Sequence, residues 1–260
     1  MNLELLVLVK EFNKSTFYVV EGLSALSEYI RFRPKVVKRI VCKKAYNKDV
    51  FALLSTYSVK ISVESYLEYE KQCEHKSDIP KAPVWAEVAL NTLSENDLLQ
   101  RVSLDEKKDV IVALDHVTDS NNLGAIARTM AFFGLRKLVA PKDRQVLFTN
   151  RSVRTSQGAF SLVHLYSVVN LTRLLLKLKE QGYWIIGADA NQGSQSLDKA
   201  ALQYEKAVIV FGSEDKGLSK RVSQACDLFV QVERAESAVS SLNVSVAAGI
   251  FLHKFTRGLD

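Results

Sequence analysis

From Asp109 onwards the sequence carries six near-continuous apolar runs separated by longer mixed stretches, and this alternation limits the fold more than any other feature. The runs are DVIVALD (109–115), RKLVAP (136–141), LVHLYSV (162–168), YWIIGAD (183–189), KAVIVFG (206–212) and DLFVQV (227–232). An apolar strand without polar alternation is one buried on both faces, as in a parallel sheet covered by helices. The stretches between predict helices over 123–133, 149–157, 171–181 and 218–225, and a last helix over 242–254. Strand–helix alternation of this kind gives an α/β domain with a parallel sheet, here over 108–260.

The amino-terminal part is a second, smaller α/β unit, expected over 1–76. TFYVV and KVVKRIVC predict strands, VKIS a short one, and helices are expected over 22–32, 46–55 and from Glu64. Between the two, 77–107 is weakly patterned, with Pro80 and Pro83, and is expected to be a linker holding one short helix over 94–101. Trp85 is the residue expected to pin it to a domain.

In an open α/β sheet, ligands bind beyond the carboxyl ends of the strands. Four such ends here are rich in Gly, Ser, Asn and Asp: HVTDSNNLGAIAR, ANQGSQS, SEDKGLS and ERAESAVSSLNVS. Each alone is a turn with a helix cap; four on one edge describe a pocket. No G-x-G-x-x-G, P-loop or G-x-S-x-G motif is present, which removes dinucleotide, P-loop nucleotide and hydrolase-elbow readings. Three cysteines and four histidines are scattered, giving neither a disulfide framework nor a metal site. With no basic residue ahead of its short apolar run, the amino terminus is not read as a signal peptide. The expected location is the cytoplasm, with no membrane partner.

The net charge of +6 is modest, but it is unevenly spread. Residues 31–48 hold eight basic side chains and no acidic one, and 136–154 hold six against Asp143. With Phe32, Tyr46 and Phe148 interleaved, both segments suit phosphate contact. The candidate RNA contacts are Arg31, Arg33, Lys35, Lys38, Arg39, Lys43, Lys44, Arg144, Arg151 and Arg154.

The motifs NNLGAIARTMAFFG, VFGSEDKGLS and SLNVSVAAGI, in that order, resemble those of the SpoU/TrmH branch of the SPOUT methyltransferases. The amino-terminal unit, with VVEGLSAL and a basic strand, is similar to an L30e-like RNA-binding domain. The resemblance implies a trefoil knot, a homodimer, S-adenosyl-L-methionine (AdoMet) as cofactor, and methylation of a ribose 2′-hydroxyl of ribosomal or transfer RNA. No metal is implied. Catalytic roles fall on Arg128, Asn122, Glu214, Ser241 and Asn243. The cofactor pocket falls on Gly187, Ala188, Asp189, Phe211, Gly212, Ser213, Gln231, Val232, Ser241 and Leu242. Arg128 suits a phosphate clamp or charge stabiliser rather than a base, because arginine stays protonated in proteins.

Three positions depart from the family pattern. Glu233 and Arg234 stand where an apolar residue and proline are usual, and Asp215 where glycine is common. A charged pair at 233–234 either crowds the adenosine pocket or points outward. If it crowds the pocket, the chain is a non-catalytic RNA-binding protein; an unrelated small-molecule enzyme is disfavoured by the basic segment 31–48.

Overall fold

The structure, a computed structural model, describes residues 17–73, 75, 79–102, 109–143, 147–190, 193–200, 204–233, 235 and 241–256. The expectation about the amino terminus and the candidate contact Arg144 lie outside the described residues. The chain divides into two compact units, Met1–Asn91 and Thr92–Asp260.

The first unit is a four-stranded sheet with helices. Its elements are β1 (Phe17–Glu21), α1 (Leu23–Phe32), β2 (Val37–Cys42), α2 (Asn47–Thr56), β3 (Ser62–Ser65), α3 (Tyr66–Gln72) and β4 (Val84–Ala89). The strand order is β1-β4-β2-β3, with β4 antiparallel to both neighbours and β2 parallel to β3. α1 buries Ala25, Leu26, Tyr29 and Ile30, one stripe at helical spacing. The short strand lies further along than VKIS: β3 begins at Ser62, in the register that sets Val41 of β2 opposite Glu64. That register brings Glu64 to the Arg39 guanidinium.

The segment 77–107 is not bare connection. It supplies β4, the strand between β1 and β2, and the helix α4 (Glu95–Val102) of the second unit. Trp85 on β4 is fully buried, with Tyr69 packed edge-on at 4.8 Å. Leu98 and Val102 of α4 join the core of the second unit.

That unit continues with β5 (Asp109–Asp115), α5 (Ser120–Phe132), β6 (Lys137–Pro141), α6 (Asn150–Thr155), β7 (His164–Val168) and α7 (Leu171–Glu180). β8 (Trp184–Ala188), β9 (Gln195–Ser196), β10 (Lys206–Gly212), α8 (Lys220–Ala225), β11 (Leu228–Gln231) and α9 (Val244–Thr256) complete it. Its seven strands lie in the order β7-β6-β5-β10-β8-β11-β9, and every pairing is parallel. β10 therefore inserts between β5 and β8, two strands made earlier in the chain. All seven residues of β5 are buried, as its unbroken apolar run requires.

The two ends of β5 carry carboxylates, and each is satisfied. Asp109 pairs with Lys137 at 2.9 Å and accepts from the Tyr183 hydroxyl. Asp115 holds Nδ1 of His116 at 2.6 Å and accepts from the Ser219 backbone N–H at 2.7 Å. Local signals set the helix starts: Asp119 accepts from Asn121 N–H, Thr149 and Ser152 form a capping box, and Asn170 accepts from Arg173 N–H.

Candidate active site

At the carboxyl ends of β8, β10 and β11 lies a cavity of about 560 Å³, within the range of about 300–1,000 Å³ typical of small-molecule sites. Its apolar wall includes Phe211, Val230, Leu242 and Phe251, and its polar wall Ser213, Gln231 and Ser241. Every residue expected in the cofactor pocket lines it except Gly187. Gly187 sits where a Cβ would meet Phe229 and Leu218 side-chain carbons at 2.8 Å, so it makes room for packing instead. Ala190, Gly217, Val230, Val244, Ala247 and Phe251 also line the cavity and were not anticipated. Val244, Ala247 and Phe251 follow helical spacing, and that periodicity is the signal that marks them.

The loop after β10 closes tightly on itself. Ser213 and Gly217 exchange backbone hydrogen bonds at 3.1 and 2.9 Å. A Cβ at Gly212 would lie 2.2 Å from the Gly217 carbonyl carbon, so only glycine fits. The backbone here comes close enough for its amide and carbonyl groups to meet the edges of a purine and ribose.

At the cavity, three expected catalytic residues form one hydrogen-bonded chain. Asn122, 6% exposed at the start of α5, donates from its side-chain nitrogen to Glu214. Its Oδ1 accepts from Asn243 Nδ2 at 3.0 Å. Asn243 Oδ1 in turn accepts from the Ser245 amide at 2.9 Å and hydroxyl at 2.6 Å, at the start of α9. Glu214 and Ser241 line the cavity itself.

Arg128 does not. It is exposed on α5, does not line the cavity, and makes no ion pair with a described residue. It lies one turn from Gly124, against which α6 packs so closely that a Cβ would come within 2.5 Å of Ser152 O. Arg151 and Arg154 of α6 are exposed as well.

Glu233 lines the cavity, half-exposed. Lys199 Nζ stands 3.3 Å from its carboxylate. A hydrogen bond from Ser196, reinforced by Lys199, holds this carboxyl below the usual range. The cavity keeps its volume with Glu233 in place; Arg234 lies outside the described residues.

In the first unit, Arg31, Lys35, Lys43 and Lys44 are exposed, with Arg31 over the Phe32 ring and Lys43 over the Tyr66 ring. Arg33 and Lys38 are partly buried and already have partners. Arg39 differs: its guanidinium bridges Glu87 at 2.7 Å and Glu64 at 3.3 Å and stacks on Tyr69. The Glu87 hydrogen bond raises its pKa above the usual value. Arg39 is committed to holding β2, β3 and β4 together.

Comparison with known proteins gives a consistent result. The family model described as the SpoU rRNA Methylase family matches residues 109–253. A 23S rRNA (guanosine-2′-O-)-methyltransferase RlmB from Pseudomonas syringae pv. tomato is 32% identical over 247 residues, covering 92% of this chain and 94% of that protein. An uncharacterized tRNA/rRNA methyltransferase from Mycobacterium tuberculosis is 40% identical over 167 residues, 64% of this chain and 51% of that one. The SpoU methyltransferase AviRb from Streptomyces viridochromogenes, solved in complex with AdoMet, superposes with a TM-score of 0.73 at 20% identity, covering 93% of this chain and 90% of that one. At that identity the likeness speaks for the fold.

Proposed function

The chain belongs to the SpoU rRNA methylase family, and from that premise we propose that it transfers a methyl group from AdoMet to the ribose 2′-hydroxyl of a guanosine in 23S ribosomal RNA. The observation that carries this reading is the Asn243–Asn122–Glu214 chain at a cavity whose walls fit AdoMet. The glycine-tight loop at Gly212 and the Phe211, Leu242 and Phe251 side chains suit an adenosine. When bound, AdoMet supplies a methyl group already activated by its sulfonium sulfur.

The chain's residues then have to present the hydroxyl. Asn122, fixed at both ends of its amide, holds Glu214 in one place at the cavity. Arg128, with no described ion-pair partner, is available to grip the phosphate beside the target ribose in a bidentate fork and to stabilise negative charge as the hydroxyl loses its proton. Arg151 and Arg154 extend the phosphate-binding surface, and the exposed Arg31, Lys35, Lys43 and Lys44 supply a second one on the first unit, read as an L30e-like RNA-binding domain.

The same reading includes a homodimer, a trefoil knot through the β10–α9 region, and action in the cytoplasm. Support for the dimer lies on α5 and α9. Phe132 is 84% exposed, Val246 50% and Ile250 39%. The last two are one turn apart on α9, and the neighbouring Phe133 ring touches His253. This apolar face suits a second copy. Arg128, one turn before Phe132, borders it. Among the described residues no helix is long and apolar enough to cross a membrane.

The test is Arg128→Ala. We expect AdoMet affinity to hold while methyl transfer to 23S ribosomal RNA falls by about 100-fold or more. Full transfer in this variant overturns the role given to Arg128. Failure of the wild-type protein to label ribosomal RNA from cells lacking it overturns the substrate.

A further inference from the structure

We propose that the cavity reads the charge of its ligand, and that Glu233 sets a preference for AdoMet over the demethylated product. The proposal rests on the reading of this cavity as the AdoMet site.

The described residues lining the cavity include three carboxylates, Asp189, Glu214 and Glu233, and no lysine, arginine or histidine. The three are spread over different strand ends: Asp189 follows β8, Glu214 follows β10 and Glu233 follows β11. They follow three neighbouring strands on one edge of the sheet. A wall of one sign around a partly enclosed volume focuses its field on whatever enters.

AdoMet carries a sulfonium, an ammonium and a carboxylate, a net charge of one positive unit. Transfer moves CH₃⁺ to the ribose oxygen; the C–S bonding pair stays on sulfur, leaving a neutral thioether, and the hydroxyl proton is released to solvent. S-adenosylhomocysteine, the product, therefore has no net charge. An anionic wall holds the reactant more tightly than the product and favours exchange after each turnover.

Glu233 is singled out among the three. Glu214 is tied to Asn122 in the candidate catalytic chain. Glu233 instead takes no part in that chain, and its half-exposed carboxylate lines the cavity. The hydrogen bond from Ser196 and the Lys199 ammonium keep it ionised at neutral pH. Lys199 does not cancel it: the lysine side chain is 80% exposed, and so solvated an ammonium neutralises its partner incompletely.

The experiment is calorimetric titration of the whole protein with three ligands: AdoMet, S-adenosylhomocysteine, and sinefungin, which carries a protonated amine in place of the sulfonium. In about 50 mM salt, AdoMet and sinefungin should bind roughly tenfold more tightly than S-adenosylhomocysteine. At about 500 mM salt that preference should shrink, because screening weakens charge–charge attraction and leaves apolar contacts alone. Glu233→Gln should narrow the preference by roughly threefold while S-adenosylhomocysteine affinity holds. Equal affinities for the three ligands, or an equal loss for all three in Glu233→Gln, overturns the proposal and leaves the methyltransferase reading standing. No binding of any ligand overturns both.

Discussion

Asn243 donates to Asn122 at 3.0 Å across 121 residues of sequence, and the same Asn122 amide donates onward to Glu214. A single buried side chain thus fastens the start of α9, the start of α5 and the loop after β10. An amide suits this place because it offers a donor and an acceptor at fixed positions, one for each neighbour.

Asn122→Asp keeps the acceptor and loses the donor, placing a carboxylate against Glu214. Two carboxylates at hydrogen-bond distance raise the pKa of one of them. The variant should be active and near full stability at acid pH, where one proton bridges the pair, and should lose activity and part of that stability as pH rises through the raised pKa. A pH–rate profile beside thermal melts at each pH checks it; at neutral pH we expect a loss of about 1–3 kcal/mol in stability.

At the opposite end of β5, Lys137→Met should be among the most damaging single changes in the second unit. Lys137 and Asp109 are 9% and 7% exposed. Removing the lysine leaves a buried charge with, among the described residues, the Tyr183 hydroxyl as its side-chain partner, a cost of about 3–5 kcal/mol. Adding Asp109→Leu to the same chain should recover much of it. Urea denaturation of the single and double variants measures both.

If the α5–α9 face holds a second copy, Phe132→Glu should yield monomers. An 84% exposed phenylalanine adds little to the fold of its own chain, so the melting temperature of the isolated unit should barely move. Sedimentation equilibrium reads the mass; an unchanged mass in the variant removes this face from the interface.

The basic residues of the first unit should separate into two classes. Lys43→Glu with Lys44→Glu should weaken RNA binding and lower the slope of log affinity against log salt, by about one unit for each phosphate no longer gripped. Arg39→Ala should instead lower the stability of the unit, since Glu64 and Glu87 then face each other without their cation. Filter binding across a salt series and a melt distinguish the two.

Much of the second unit was legible because six of its strands are near-continuous apolar runs, a pattern that needs no knowledge of the neighbours. The pocket was legible for the same reason: its walls come from the loops just past the ends of those runs. β4 was not. Its sequence, VWAEVA, comes after Pro80 and Pro83, and its place between β1 and β2 depends on pairings with residues far earlier in the chain. Arg39 was misleading in the same way. Nothing local to KVVKRIVC tells that Glu64 and Glu87 will arrive beside it. β9 is two residues long and exists only because β11 offers an edge. The left-handed backbone of His116, at φ 64°, has no sequence signal either, since a residue other than glycine rarely adopts it.

The insertion of β10 between β5 and β8 also bears on synthesis. A ribosome making this chain has already built both flanking strands before residue 206 exists. Until then β5 and β8 each present an apolar, unpaired edge of the kind that recruits other chains. The nascent protein has to be shielded over that interval, and a chain truncated before residue 206 is expected to aggregate rather than to persist as a smaller domain.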